Sequence, residues 1–575
     1  MKAADPRAQD HPATNPAPTP TPTPATIDRR SVMRGALGAT AAALAIPHAG
    51  LRVSFGQEAT PVASPVVDNG FVRSTVEGVS DVCLQLPTPF ASTSGVPGSG
   101  GTVRAFTISY AVPGPARDEN QYWQELERRL GVTWEVDQTP QANYGEKSAV
   151  LLAGGDLPDL FYLNPNQGAP QQYQALTQGA FTDLTPYVTG DALKQFPNLA
   201  AYPAYAWNDS KFQGKQYGIP LPGGIASDLP FYRTDWATKL GIAPSRTLGP
   251  DAVMQLLTGF TNGDPDGNGS PDTWGTGRFG NGWTAWDNGF AMFLHRVPQG
   301  WRVNADGSLQ YFIETDEYRQ AIDFLTRAYA GGGFHPDAAS MTFASESDAF
   351  VAGATGFHTE AFGSFFGLDG ATSRMRKVNP NATIDYFVPS GPDGLPGVTY
   401  NNPGFFGMVG IPSSIGDEDR INELLRIVGY LAAPFGSEEW LFKNYGVEGV
   451  DFTRDANGNP ITTDLGTLER GALTYFVGNP SVTYIPDDPE VGLIIQKGQY
   501  DAVAVGINNP ALTLYSETNI SEGPALDQFG TDQMTAIVTG RQAFDSLDSA
   551  IEEWRGRGGD QIRQEYQASM QQSGG

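Results

Sequence analysis

From Val103 onward the apolar positions recur with two different periods. Val103-Arg104-Ala105-Phe106-Thr107-Ile108 alternates as a half-buried strand does. Between Asn120 and Leu130 the spacing changes, and Trp123, Leu126 and Leu130 fall on one helical face. Val132 to Val136 predicts a second strand, Lys147 to Ala153 a helix, and Asp159 to Leu163 a third strand. Further along, Tyr318, Ala321, Ile322, Leu325 and Tyr329 form one helical stripe. Ile421, Leu424, Leu425, Val428 and Leu431 form another. Strands separated by amphipathic helices predict an α/β protein with sheets covered by helices on both faces. No internal repeat at a fixed period is present.

The first hundred residues read differently. Residues 6–24 are rich in Pro, Thr and Ala, which favours an extended tail over a core. Asp28-Arg29-Arg30-Ser31-Val32-Met33-Arg34 then precedes an uncharged run from Gly35 to Ile46 and the segment Pro47-His48-Ala49. Twin arginines, a short apolar run and a small residue at the expected cut resemble a twin-arginine export signal over residues 1–49. The apolar run is too short for a transmembrane helix. Residues 50–102 read as a low-complexity linker or displaced arm. A lipid anchor needs a cysteine at the cleavage point, but Cys83, the single cysteine, lies well past it and reads as a small buried hydrophobe.

Composition narrows the functions open to the chain. Its 575 residues carry a net charge of −27, which disfavours nucleic acid and anionic membranes as partners. One cysteine excludes a disulfide framework and thiolate-held metals. Of five histidines, His11 and His48 lie in the signal region, which argues against a His-rich catalytic metal centre. No Gly-x-Ser-x-Gly elbow, phosphate-binding Gly-x-x-x-x-Gly-Lys-Ser/Thr loop or His-Glu-x-x-His motif occurs. The 63 acidic residues leave room for a carboxylate pair of a secreted polysaccharide hydrolase. A surface adhesion protein is the other alternative.

Six segments in order carry a resemblance to a known family. Leu152-Ala153-Gly154-Gly155-Asp156-Leu157-Pro158-Asp159-Leu160 and Phe181 to Tyr187 resemble landmarks of extracellular solute-binding proteins that feed ABC importers. Gln216 to Pro220, followed by Phe231-Tyr232-Arg233-Thr234-Asp235, resembles the family's first crossing between lobes. Phe405 to Pro412 resembles the return crossing. Tyr445 to Phe452 and the tail Ile551 to Ile562 resemble the branch of large oligosaccharide-binding lipoproteins, including alginate-oligosaccharide binders. The resemblance implies a periplasmic-binding-protein-like α/β fold with two lobes, crossing hinge segments and a ligand cleft between them. It places one lobe at 103–224 plus 408–475 and the other at 225–407 plus 476–575. It further implies a monomeric, non-enzymatic receptor that delivers a solute, an oligosaccharide above all, to an ABC transporter permease.

Two constellations are candidate sites. Asp264-Pro265-Asp266-Gly267-Asn268-Gly269-Ser270-Pro271-Asp272 matches the first nine positions of an EF-hand-type loop. Asp264, Asp266, Asn268 and Asp272 would offer side-chain oxygens to a structural calcium ion, and Ser270 its carbonyl. Gly275 stands where the usual bidentate Glu would be, so a metal-free turn is the other reading. Aromatic residues crowd Gly-rich loops, and each ring either packs in a core or stacks on a sugar. Trp283, Trp286, Glu360 and Phe362 resemble cleft-facing positions of the family and are the first candidates for ligand binding, with Tyr232 beside them. Asn164, Asp228 and Asn402 are polar candidates that suit turns equally well.

Overall fold

The computed structural model describes residues 52–53, 67–68, 70–164, 171–226, 228–280, 282–284, 289–366, 370–478, 482–486 and 488–572. The expected signal region and Trp286 lie outside the described residues. Among the described residues no helix is long and apolar enough to cross a membrane.

Along the chain, the elements that frame the site begin with strand β1 (Asp81–Cys83), followed by β2 (Thr102–Ser109), helix α1 (Gln121–Leu130), β3 (Thr133–Pro140), α2 (Gln141–Gly154) and β4 (Leu160–Leu163). Next come β5 (Ile219–Pro222), β6 (Leu229–Arg233), α3 (Pro250–Asn262) and α4 (Asp316–Ala330). Then follow α5 (Phe343–Ala352), β7 (Phe357–Glu360), α6 (Phe362–Phe365), β8 (Thr383–Tyr386) and β9 (Phe405–Gly410). The last are α7 (Glu418–Leu431), α8 (Glu438–Tyr445), β10 (Val482–Tyr484), α9 (Pro489–Val503) and α10 (Glu517–Val538).

Local sequence explains the first elements. The Asn120 side chain accepts the Trp123 N–H at the start of α1, and Gly131 ends the helix at φ +71°. Tyr122, Leu126 and Leu130 face inward, while the half-buried Trp123 donates its indole N–H to the Trp134 carbonyl. In β2, Val103, Phe106 and Ile108 are fully buried. The two long stripes form α4 and α7, although Tyr329 of the first is 36% exposed and sits off the buried face.

Two α/β lobes result. The first holds a five-stranded sheet ordered β3-β2-β4-β9-β5, with β2 parallel to β3 and β4, and β9 antiparallel to β4 and β5. Its core joins Val103 to Ile219 with Met408 to Val477. The second holds a four-stranded sheet in which Arg52–Val53, β8, β6 and β7 follow in order. Its cores are drawn from segments between Leu229 and Phe387 and between Val491 and Tyr566.

Residues 70–101 are built into this body, which corrects their reading as a linker. β1 lies parallel to β10, pairing Asp81 with Val482 and Cys83 with Tyr484. Ser80 bonds Gln499 of α9 at 2.7 Å. The buried Glu439 carboxylate accepts the Ser92 and Thr93 backbone N–H groups and both hydroxyls. Burial opposes its ionisation, but these donors prevail and hold its pKa below the usual glutamate value. The arm also explains α7, which is buried beyond its predicted stripe. Ser99 N–H reaches Glu423 at 2.6 Å, so arm residues cover part of a helix surface that would otherwise meet water.

Candidate functional site between the lobes

In an open α/β sheet the strand ends carry loops whose side chains are not consumed by the ladder, and ligands settle there. Here the C-terminal ends of β2, β4 and β5 share one edge with the N-terminal end of β9, because β9 runs against its neighbours. At that edge the chain leaves the first lobe after β5, through residues 223–226, and returns through 401–404. The two crossings are tied together. Gly223 N–H donates to Gly404 C=O at 2.9 Å, Asn402 N–H to Ile225 C=O at 3.0 Å, and the Asn402 amide to Ala226 C=O at 2.8 Å. Gly404 has φ +74°, and a Cβ there would come within 2.4 Å of the Tyr205 ring, so glycine is required at this junction.

The lip of the first lobe is aromatic. Tyr110, just past β2, is 57% exposed, and Phe406 at the start of β9 is 41% exposed. Tyr475 lies 6.0 Å from Tyr110 and 6.5 Å from Phe406 between ring centroids, and the buried Tyr162 backs the group at 6.1 Å from Tyr475. Asn164 is buried, and its amide donates to the Phe406 carbonyl at 2.5 Å. It therefore braces the lip from within. Three segments distant in sequence thus meet beside the return crossing, with Tyr110 and Phe406 exposed and Tyr475 half-buried behind them.

The lip of the second lobe is ionic. Glu360 ends β7 opposite Leu229, the first residue of β6 after the crossing, and the half-buried Asp228 precedes Leu229. His358 shares the Glu360 face of β7 and sits between two carboxylates, with Nδ1 2.7 Å from Glu346 of α5 and Nε2 3.1 Å from Glu360. Burial alone would strip the imidazole of its proton. Hydrogen bonds to Glu346 and Glu360 outweigh that and push the pKa up to about 9.

Three expected ring contacts take other places. Tyr232 is 1% exposed, and its hydroxyl is bound to both the N–H and the C=O of Ser245. Phe362 packs edge-on against Phe231 and Tyr386, and α9 presses on it so closely that a Cβ at Gly498 would lie 2.2 Å from its ring. Trp283 is 2% exposed under Gly530 of α10 and meets Phe529 edge-on at 5.7 Å. All three are core residues in this conformation, which corrects their reading as rings open to ligand. Tyr110, Phe406 and Tyr475 were missed as candidates. The one local signal was an aromatic residue directly after the alternating strand that ends at Ser109.

The loop after α3 folds tightly. The Asp264 carboxylate accepts the N–H groups of Gly267, Asn268 and Gly269, each at 3.1 Å, and Gly269 takes φ +79°. The Asn268 amide donates to Asp266 at 2.6 Å and to both oxygens of Asp272 at 3.2 Å. Ser270 N–H donates to the Asn268 side-chain oxygen at 2.7 Å. Three carboxylate oxygens thus converge on one donor group, as they would on a small cation. Among the described residues, however, no three His, Cys, Asp or Glu side chains gather closely enough to form a metal-holding group as they stand.

No family model matches the chain. It is 25% identical over 491 residues to lipoprotein LipO of Bacillus subtilis (strain 168), covering 83% of this chain and 93% of that protein. It is 23% identical over 470 residues to the polygalacturonan/rhamnogalacturonan-binding protein YtcQ of the same organism, covering 78% and 88%. A solved structure of the S. pneumoniae ABC-transporter substrate-binding protein FusA, an EF-hand mutant in complex with fructo-nystose, matches with a TM-score of 0.59. The match has 17% identity and covers 82% of this chain and 99% of that one. With two α/β lobes, paired crossings and these likenesses, the chain has the fold of the ABC-transporter substrate-binding proteins and is similar to them along most of its length.

Proposed function

We propose that the protein captures an oligosaccharide outside the cytoplasm, in the cleft between its lobes, and delivers it intact to the membrane permease of an ABC importer. The observation that carries this reading is the pair of unlike lips at the crossings. Exposed Tyr110 and Phe406 offer ring faces to the C–H face of a sugar, while Glu360, beside the first crossing, offers an acceptor to its hydroxyls. A ligand touching both lips favours the closed arrangement only by its differential affinity for it. The names of YtcQ and FusA support a saccharide as the cargo. A monomer suffices, since one chain supplies both lips.

Export through the twin-arginine pathway suits residues 28–49. The loop at 264–272 suits a structural calcium ion, with Asp264, Asp266, Asn268, Ser270 and Asp272 as its oxygen donors. For that, Asn268 gives up its N–H donors and turns its carbonyl oxygen inward.

Capture without turnover is tested with pools of fructo-oligosaccharides and oligogalacturonides. The expected result is saturable binding, compaction in small-angle scattering, and recovery of the sugar unchanged by mass spectrometry. Steady release of shorter sugars would point to a hydrolase instead.

A further inference from the structure

We propose that Glu346, His358 and Glu360 form a positioning relay that presents one carboxylate oxygen of Glu360 at the second lobe's lip as an acceptor for ligand hydroxyls. This rests on the saccharide reading of the same site. Period-two alternation puts His358 and Glu360 on one face of β7, and α5 lays Glu346 against that face. Side-chain exposure is 3% for Glu346, 0% for His358 and 15% for Glu360, so the row opens at its Glu360 end. That end lies beside the first crossing, opposite Leu229.

Burying three ionisable groups in a row is costly, and an apolar trio would hold β7 to α5 at least as well. The arrangement makes sense as orientation. Only a doubly protonated ring donates to two carboxylates at once, and it thereby locks the Glu360 side chain through Oε2. Glu360 Oε1 has no hydrogen bond among the described residues, which leaves it free to accept. The surroundings of the ring preserve this state. Phe343 and Phe350 of α5 and Phe365 of α6 flank it at 5.8, 5.3 and 6.0 Å, and none of them titrates. The charges facing it are Glu346 and Glu360, with the Arg278 guanidinium beyond the Phe343 ring at 5.6 Å from its centroid.

The pH dependence has a definite sign. Because His358 binds its proton more tightly folded than unfolded, the relay's stabilisation is complete below about pH 6.5. It is lost as pH rises through about 9.

The experiment combines nitrogen-detected NMR of the full-length protein with calorimetric titration of fructo-oligosaccharides and oligogalacturonides. At pH 7 His358 should carry protons on both ring nitrogens, and in Glu346→Gln on one. His358→Gln, whose amide can serve only one carboxylate well, should bind the saccharide about tenfold more weakly. The wild type should lose affinity above pH 9, and the variant should not. A neutral, singly protonated His358 at pH 7 overturns the proposal, as does unchanged affinity in a folded His358→Gln. Failure of the wild type to bind any pool counts against the saccharide reading, and the proton count on His358 then decides the relay by itself. If the variants do not fold, that same wild-type proton count decides.

Discussion

A large aromatic side chain serves a core and a sugar face equally well, and what separates Trp283 from Tyr110 is its surroundings. Trp283 is enclosed by Tyr318, whose hydroxyl donates to its carbonyl at 2.7 Å, and by α10, where Gly530 leaves just enough room for the indole. Truncation there opens a cavity that the helix cannot fill. Trp283→Ala should therefore cost about 3–5 kcal/mol of stability in chemical denaturation. Tyr110 has its ring largely in solvent, so Tyr110→Ala should change stability by no more than about 0.5 kcal/mol. It should weaken saccharide binding by about 1–3 kcal/mol in calorimetry, the scale of ring stacking on flat ligands. A stability loss at Tyr110 matching that at Trp283 would place both in the core.

At the scale of elements, the loop following α3 is self-contained. Asp264 caps three successive backbone N–H groups, Gly269 supplies the sharp turn, and Lys239 donates to the Asp266 carbonyl at 3.0 Å. The side-chain cluster is held together by the Asn268 amide, which donates to Asp266 and Asp272. Calcium at millimolar concentration should raise the thermal midpoint, since an ion bound to the folded state alone adds RT ln(1 + [L]/Kd), or about 2.7 kcal/mol at a hundredfold excess over Kd. EDTA should reverse the rise in a scanning-calorimetry trace, and Asp266→Ala should remove most of it. A midpoint indifferent to calcium would leave the loop a metal-free turn. Helix α7 is the contrasting case. Its inner stripe is legible from Ile421 to Leu431, but the burial of Glu423 and Gly429 depends on the arm and on Asn198, which donates to the Gly429 carbonyl at 3.0 Å.

For the whole molecule, the arm engages both lobes. It meets the first through Glu439, and the second through Gln499 and the Tyr500 hydroxyl, which accepts the Thr75 N–H at 3.0 Å. It also meets the first crossing, where Gly78 C=O accepts from Ile225 N–H at 3.4 Å. The lobes touch once more where Phe212 meets Tyr515 edge-on at 5.9 Å. The twin-arginine reading of residues 28–49 makes its prediction at this scale, since that pathway carries whole folded cargo. An Arg29→Lys/Arg30→Lys double variant should accumulate in the cytoplasm, as fractionation and N-terminal sequencing of the secreted form would reveal. Undiminished export of that variant would refute the twin-arginine route.

The sequence by itself determined what depends on near neighbours. The alternation of strand and helix from Val103 to Leu163 was legible because burial repeats every two or every 3.6 residues along one segment. The oxygen-rich loop was legible because all its candidate donors lie within nine positions. The crossings were legible only by family resemblance, through Gln216 to Pro220 with Phe231 to Asp235 and through Phe405 to Pro412, since nothing local marks a strand as leaving one sheet for another. Tertiary structure alone decided which rings are open and which are covered, because the cover arrives from elsewhere in the chain. Gly530 closes over Trp283 and Gly498 over Phe362, while nothing covers Tyr110 or Phe406 to the same degree. It also decided the setting of His358, because α5 arrives from elsewhere in the chain and brings Glu346 within 2.7 Å of the buried ring.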